Sequence, residues 1–81
     1  MERFEVRLFA SFADIFGSPN ISLTLPKGST VENLTSALHA LPSGASLPEK
    51  LVVAVNHTYV PAQTVLSPGD EIALIPPVAG G

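Results

Sequence analysis

The chain has 81 residues, 46% apolar and 14% charged, with a formal net charge of −3 and no cysteine. This describes one small domain with a packed core, which buries only about 60% of its unfolded surface and has little room for an internal active-site cavity. The missing cysteine excludes disulfides, thiolate metal sites, a cysteine nucleophile and a persulfide on this chain.

Residues 3–10 alternate. Phe4, Val6, Leu8 and Ala10 point one way, and Glu5, Arg7 and Phe9 the other, which predicts a strand with one buried face. Ser11, with Asp14 three residues on, predicts a capped helical turn ended by Gly17, with Phe12, Ile15 and Phe16 closing onto the core. Residues 20–25 alternate again, with Ile21, Leu23 and Leu25 inward, and Pro26-Lys27-Gly28 turns the chain. Ser29 or Thr30 then caps a helix, and Ser29 with Glu32 fits a capping box. Val31, Leu34, Leu38 and Leu41 form one apolar stripe, so the helix is predicted from Val31 to Leu41, where Pro42 stops it.

Residues 43–49 read as a loop. Leu51 to Val55 is continuously apolar and predicts a strand buried on both faces. Asn56-His57 is a turn, and Thr58 to Val60 a short edge strand ended by Pro61. Ser67-Pro68-Gly69-Asp70 is a second turn, and Glu71 to Ile75 is the last strand. Strands around a single main helix give an α+β class. A β-grasp (ubiquitin-like) arrangement fits best: a mixed sheet with the main helix packed on one face, its first and last strands parallel at the centre. Residues 1–75 are read as that domain and residues 76–81 as a flexible C-terminal tail.

The tail reads Pro76-Pro77-Val78-Ala79-Gly80-Gly81. Its prolines favour an extended conformation, and its glycines can pass through a channel that any side chain would block. Fully extended, it could reach roughly 20 Å from the domain. The functional reading is a terminal carboxylate presented to another enzyme; the plain alternative is a frayed end. Phe9, Val60, Leu74, Pro76, Pro77 and Val78 are read as exposed apolar residues that gather beside the tail as a partner surface.

Other chemistry is thin. The four permanent cations, Arg3, Arg7, Lys27 and Lys50, are scattered and form no stripe for nucleic-acid phosphates. His39 is read as a solvated helix residue, and His57 as a turn residue, with a proton-carrier or contact role as its alternative. Two histidines without cysteine make no metal site of recognisable spacing. Asp70 and Glu71 read as solvated turn and edge residues, and glycines 17, 28, 44 and 69 as turn punctuation. No apolar run approaches the roughly 20 residues of a membrane span, and the acidic start lacks a signal-peptide core. A cytoplasmic protein without membrane contact is expected.

Several segments resemble the MoaD/ThiS family of sulfur carriers: Leu8-Phe9-Ala10, Thr30-Val31-Glu32-Asn33-Leu34, Val53-Ala54-Val55-Asn56, Leu66-Ser67-Pro68-Gly69-Asp70-Glu71-Ile72 and Ile75 through Gly81. The resemblance covers nearly the whole chain. The Pro-Pro-Val-x-Gly-Gly ending is more similar to the molybdopterin synthase branch than to the thiamine branch. Where many relatives carry a basic residue after the first strand, this chain has Phe12-Ala13-Asp14.

The resemblance implies a non-catalytic carrier subunit that binds no cofactor of its own. An E1-like activating enzyme would use ATP to adenylate the Gly81 carboxylate, and sulfur would replace the adenylate to leave a thiocarboxylate. The tail, with Gly80, Ala79, Val78, Pro77 and Pro76, would insert into the large subunit of molybdopterin synthase, where sulfur passes to a cyclic pterin precursor. A thiamine-pathway carrier, a protein modifier and a noncovalent ubiquitin-like module are the alternatives.

Overall fold

Two sequence-distant strands lie side by side at the centre of the molecule, a computed structural model that describes residues 1–76. Strand β1 (Glu2–Leu8) pairs in parallel with β5 (Ile72–Ile75), in the register Val6↔Ile72 and Leu8↔Leu74. Strand β2 (Asn20–Leu25) lies antiparallel on the other side of β1. Strand β3 (Val52–Val55) lies antiparallel to β5, and the short β4 (Thr58–Tyr59) closes the far edge. The sheet order is β2-β1-β5-β3-β4, so the sheet is mixed and its parallel pair is central. This is the arrangement expected of a β-grasp fold.

Helix α1 (Ala10–Phe16) and helix α2 (Val31–Ala40) join the strands. Phe4, Val6, Leu8, Val53, Val55, Ile72 and Leu74 face α2, whose Leu34 and Leu38 are fully buried. Truncating either leucine to alanine would leave a cavity and cost about 2–5 kcal/mol. The predicted stripe ends one residue early: Leu41 is the C-cap, half-buried against the core.

Several local expectations are corrected. Ala10 is not a strand residue. Its φ of 47° starts α1, whose N-cap is Phe9 with no side-chain hydrogen bond, so Ser11 lies inside the helix and caps nothing. Gly17 does end that helix, at φ 69°. The capping box belongs to Thr30 and Asn33, not Ser29 and Glu32. Thr30 Oγ1 accepts from the Asn33 N–H, and the Thr30 N–H donates to Asn33 Oδ1 at 2.9 Å. Ser29 is committed to the preceding turn, donating its hydroxyl to the Pro26 carbonyl at 2.6 Å.

β3 is buried on both faces except at its start: Val53 and Val55 turn to the helix, Ala54 on the other face is also buried, and Val52, the first residue of the strand, is 48% exposed. Finally, residues 42–46 form a 3₁₀ turn that overlaps residues 43–49, the stretch read as a loop. There Gly44 is no turn punctuation: a Cβ on it would lie 1.8 Å from the Leu38 carbonyl oxygen.

Candidate partner interface

The face of the sheet away from α2 is uncovered, and strand parity decides what it displays. On β1 it carries Arg3, Glu5, Arg7 and then Phe9. On β5 it carries Ala73 and Ile75, on β3 Val52 and Ala54, and on β4 Tyr59. The register aligns Arg7, Ala73, Ala54 and Tyr59 across four strands. Because β1 and β5 are parallel, Phe9 follows Leu8 at the same end of the sheet where Ile75 leads into Pro76.

The face divides in two. Near the start of β1, Arg3 pairs with Glu5 at 3.2 Å, and Ser22 donates to Glu5 at 3.0 Å. Toward the tail, two alanine methyls leave a dip with larger side chains around it. The result is an open recess of about 240 Å³ lined by Arg7, Phe9, Ala54, His57, Tyr59, Glu71, Ala73 and Ile75. The Arg7 guanidinium lies over the Phe9 ring, 5.8 Å from its centroid, an attractive cation–π arrangement. His57 Nε2 lies 2.5 Å from Glu71 Oε2 at the opposite end.

The loops beside the recess are tied down. Asn56 and His57 both adopt positive φ, 52° and 69°, the backbone of a tight hairpin turn. Asn56 Nδ2 donates to Asp70 Oδ1 at 3.1 Å, and its Oδ1 accepts from the Glu71 N–H at 3.0 Å. Asp70 Oδ2 also accepts from the Ser67 N–H at 2.8 Å. Asp70 is therefore a turn-bracing residue. On the helix, His39 is partly exposed, as expected, and its Nε2 donates to the Pro48 carbonyl at 2.8 Å, so it also anchors a loop. Among the described residues, no cluster of three or more His, Asp or Glu side chains could hold a metal ion.

Of the predicted surface residues, Phe9 stands on the open face, 42% exposed, and Pro76 is half-buried at its edge. Leu74 is a correction: it is fully buried, because its parity matches Ile72 and turns it toward α2. Val60 is corrected in part, being half-buried against the core. Pro77, Val78, Ala79, Gly80 and Gly81 lie outside the described residues. Sequence reading passed over Arg7, Ala54, Tyr59, Ala73 and Ile75. The signal was present in the alternation of β5: once Ile72 is assigned to the core, Ala73 and Ile75 must face out.

Comparison with known proteins adds a family and a set of structures. The model of the ThiS family matches residues 6–81. A molybdopterin synthase sulfur carrier subunit from Arabidopsis thaliana is 33% identical over 95% of this chain and 81% of its own length. The protein of the same name from Dictyostelium discoideum is 37% identical over 98% of this chain and 96% of its own. Among solved structures, SAMP1 from Haloferax volcanii superposes with a TM-score of 0.80 at 31% identity, covering 98% of this chain and 99% of that one. A chain from the complex of subunits 1 and 2 of the molybdopterin-converting factor of Helicobacter pylori gives 0.70 at 25% identity, covering 98% and 99%.

Proposed function

The chain belongs to the ThiS family, and on that premise we propose that it is the sulfur carrier subunit of a molybdopterin synthase. Its reactive group is then the Gly81 carboxylate. The observation that carries the reading is the placement of the tail's root. Pro76 follows directly on β5, a central strand, beside an uncovered apolar recess that includes Ile75 and Phe9. A protein that takes in the tail down to its root lies near that end of the sheet, and relatives named as carriers of this kind match nearly the full chain.

The chemistry is acyl activation. A carboxylate resists attack because its leaving group would be oxide. An activating enzyme transfers AMP from ATP to the Gly81 carboxylate and releases pyrophosphate. A sulfur nucleophile then attacks the acyl carbon, AMP leaves, and a thiocarboxylate remains. In the second enzyme, the large synthase subunit, that sulfur passes to a cyclic pterin precursor, and hydrolysis of the acyl bond restores the carboxylate. Gly80 and Gly81 give both sites a narrow, unbranched chain to admit. The acid, base and precursor-binding groups belong to the large subunit, and the reaction belongs in the cytoplasm with its ATP.

The test is reconstitution with an activating enzyme, ATP and a sulfur donor, followed by intact mass. The expected product is heavier by the difference between sulfur and oxygen, and it supports pterin conversion when the large subunit is added. A mass that never changes overturns the reading.

A protein-modifier role is a second reading, favoured by the likeness to two structures of small archaeal modifier protein 1 (SAMP1) of Haloferax volcanii. It shares the adenylated terminus and differs in the nucleophile, which would be a lysine amine. Isopeptide-linked conjugates in place of a thiocarboxylate would select it.

A further inference from the structure

The sheet has two edges, and they differ. β4 is two residues long and Pro61 follows soon after it, which blunts that side. β2 is six residues long, carries no charge and no proline, and keeps an unbroken register with β1. That register decides which of its backbone groups face outward. The Leu8 N–H donates to the Pro19 carbonyl at 2.8 Å. By antiparallel alternation Ile21, Leu23 and Leu25 then bond to β1, and Asn20, Ser22 and Thr24 turn their N–H and C=O groups away.

The chain closes both ends of this outward row itself. The Ser18 hydroxyl donates to the Asn20 carbonyl at 2.7 Å and accepts from the Asn20 N–H at 3.4 Å. Beyond Leu25, Pro26 has no N–H, and its carbonyl accepts from the Ser29 N–H and hydroxyl. Ser22 and Thr24 remain, and their outward N–H and C=O groups take no partner among the described residues.

We infer that this edge is a self-association site: β2 pairs antiparallel with β2 of a second copy, across a two-fold axis at Leu23. In that register Ser22 opposes Thr24 of the second copy and Thr24 opposes its Ser22, so every open group of the edge is bonded. Other registers fail. An axis at Ser22 would oppose Thr24 to Asn20, whose groups Ser18 holds. An axis at Thr24 would oppose Ser22 to Pro26, which has no N–H. The occupant is a second copy because the two open residues stand symmetrically about Leu23, which makes the edge its own complement. The side chains agree. Leu23 meets Leu23 and Ile21 meets Leu25, which covers an apolar row whose Ile21 and Leu23 are only half-buried in the single chain. On the other face Ser22 meets Thr24, so no like charges are opposed. The axis is perpendicular to the sheet, so the two tails leave at opposite ends. Their β5 strands are five strand spacings apart, roughly 24 Å, and the association leaves both tail roots uncovered.

The contact is small, below roughly 1,200 Å², so a weak dimer is expected, with a dissociation constant of about 100 µM. Sedimentation equilibrium between about 10 µM and 1 mM reads the mass, and amide hydrogen exchange at both ends of that range reads the site. The expected result is a mass that rises toward two chains. The Ser22 and Thr24 amides should exchange about threefold more slowly at the high concentration, with the Ile21 and Leu23 amides unchanged. Thr24→Pro removes an outward N–H without touching the ladder to β1, and should weaken association by about tenfold or more. If that variant does not fold, the wild-type exchange pattern decides alone. A wild-type chain that stays single at about 1 mM overturns the inference. So does a dimer whose Ser22 and Thr24 amides exchange as freely as in the single chain, or one that folded Thr24→Pro forms equally well. Protection of those amides only by an added extended peptide would assign the edge to a different partner and overturn the second copy as its occupant.

Discussion

Asn56 and Asp70 join two turns that are distant in sequence: Asn56 Nδ2 donates to Asp70 Oδ1 at 3.1 Å, between the β3–β4 hairpin and the turn that enters β5. The Glu71 N–H donates to Asn56 Oδ1, and the Asn56 N–H to the Glu71 carbonyl at 2.8 Å. The rim of the recess is thus fixed to the strand that carries the tail.

Asp70→Ala should therefore lower stability by about 1–2 kcal/mol, since it removes hydrogen bonds to a carboxylate. Asn56→Ala should cost at least as much, because it also places alanine at a φ of 52°. Urea denaturation of both singles and the double mutant is the measurement. A double mutant much less destabilised than the sum is expected of residues that share partners.

Gly44→Ala should destabilise by about 1–3 kcal/mol despite alanine's better backbone entropy. The obstacle is backbone: the new Cβ would meet the Leu38 carbonyl oxygen at 1.8 Å, so the 3₁₀ turn must move off α2. A thermal melt shifted by several degrees, compared with a near-silent Ala45→Ser on the exposed side of the turn, is the expected result.

Thr30→Ala should cost about 1 kcal/mol as a lost N-cap, and Asn33→Ala a comparable amount. Glu32→Ala should cost only a few tenths, through the helix dipole alone. Equal effects at Asn33 and Glu32 in denaturant unfolding would contradict the observed box.

Much of this fold was legible because its signals are local. The period-two alternation of residues 20–25 and the turn residues at Gly17, Gly28 and Gly69 each act over a few positions, and the structure follows them. What failed depended on contacts that residue type and spacing do not announce. Ser29 carries the same capping chemistry as Thr30, and only its bond to Pro26 decides between them. Gly44 looked like turn punctuation because nothing in sequence announces a carbonyl of Leu38 beside it. In the site, Phe9 was legible from its strand parity, whereas the alanine floor was not. Alanine is unremarkable until the register aligns Ala54 with Ala73.

Phe9→Asp and Leu74→Asp, neighbours at the end of the sheet, should behave oppositely. The first removes an exposed wall of the recess and should weaken large-subunit binding by roughly 30-fold while the chain still folds. The second buries an unpaired charge in a fully enclosed position and should abolish folding. Circular dichroism and calorimetry on the pair separate surface from core.

Deleting Gly81, or adding one residue after it, should leave the melting temperature nearly unchanged and abolish sulfur transfer. A displacement of even 1 Å at the reacting atom can cost about 10²-fold in rate. Thiocarboxylate mass and pterin product are the readouts. Normal product from the shortened chain would show that the terminus is not the reactive group.

The central position of β5 also has a consequence for synthesis. The strand that completes the sheet is the last to be translated, and β1 waits with its inner edge open until Ile72 to Ile75 arrive. A chain that stops before that point leaves β1 and β3 without their shared neighbour, exposing strand edges and core to aggregation and proteolysis. A folded copy therefore necessarily contains β5, the strand from which residue 76 leaves the sheet.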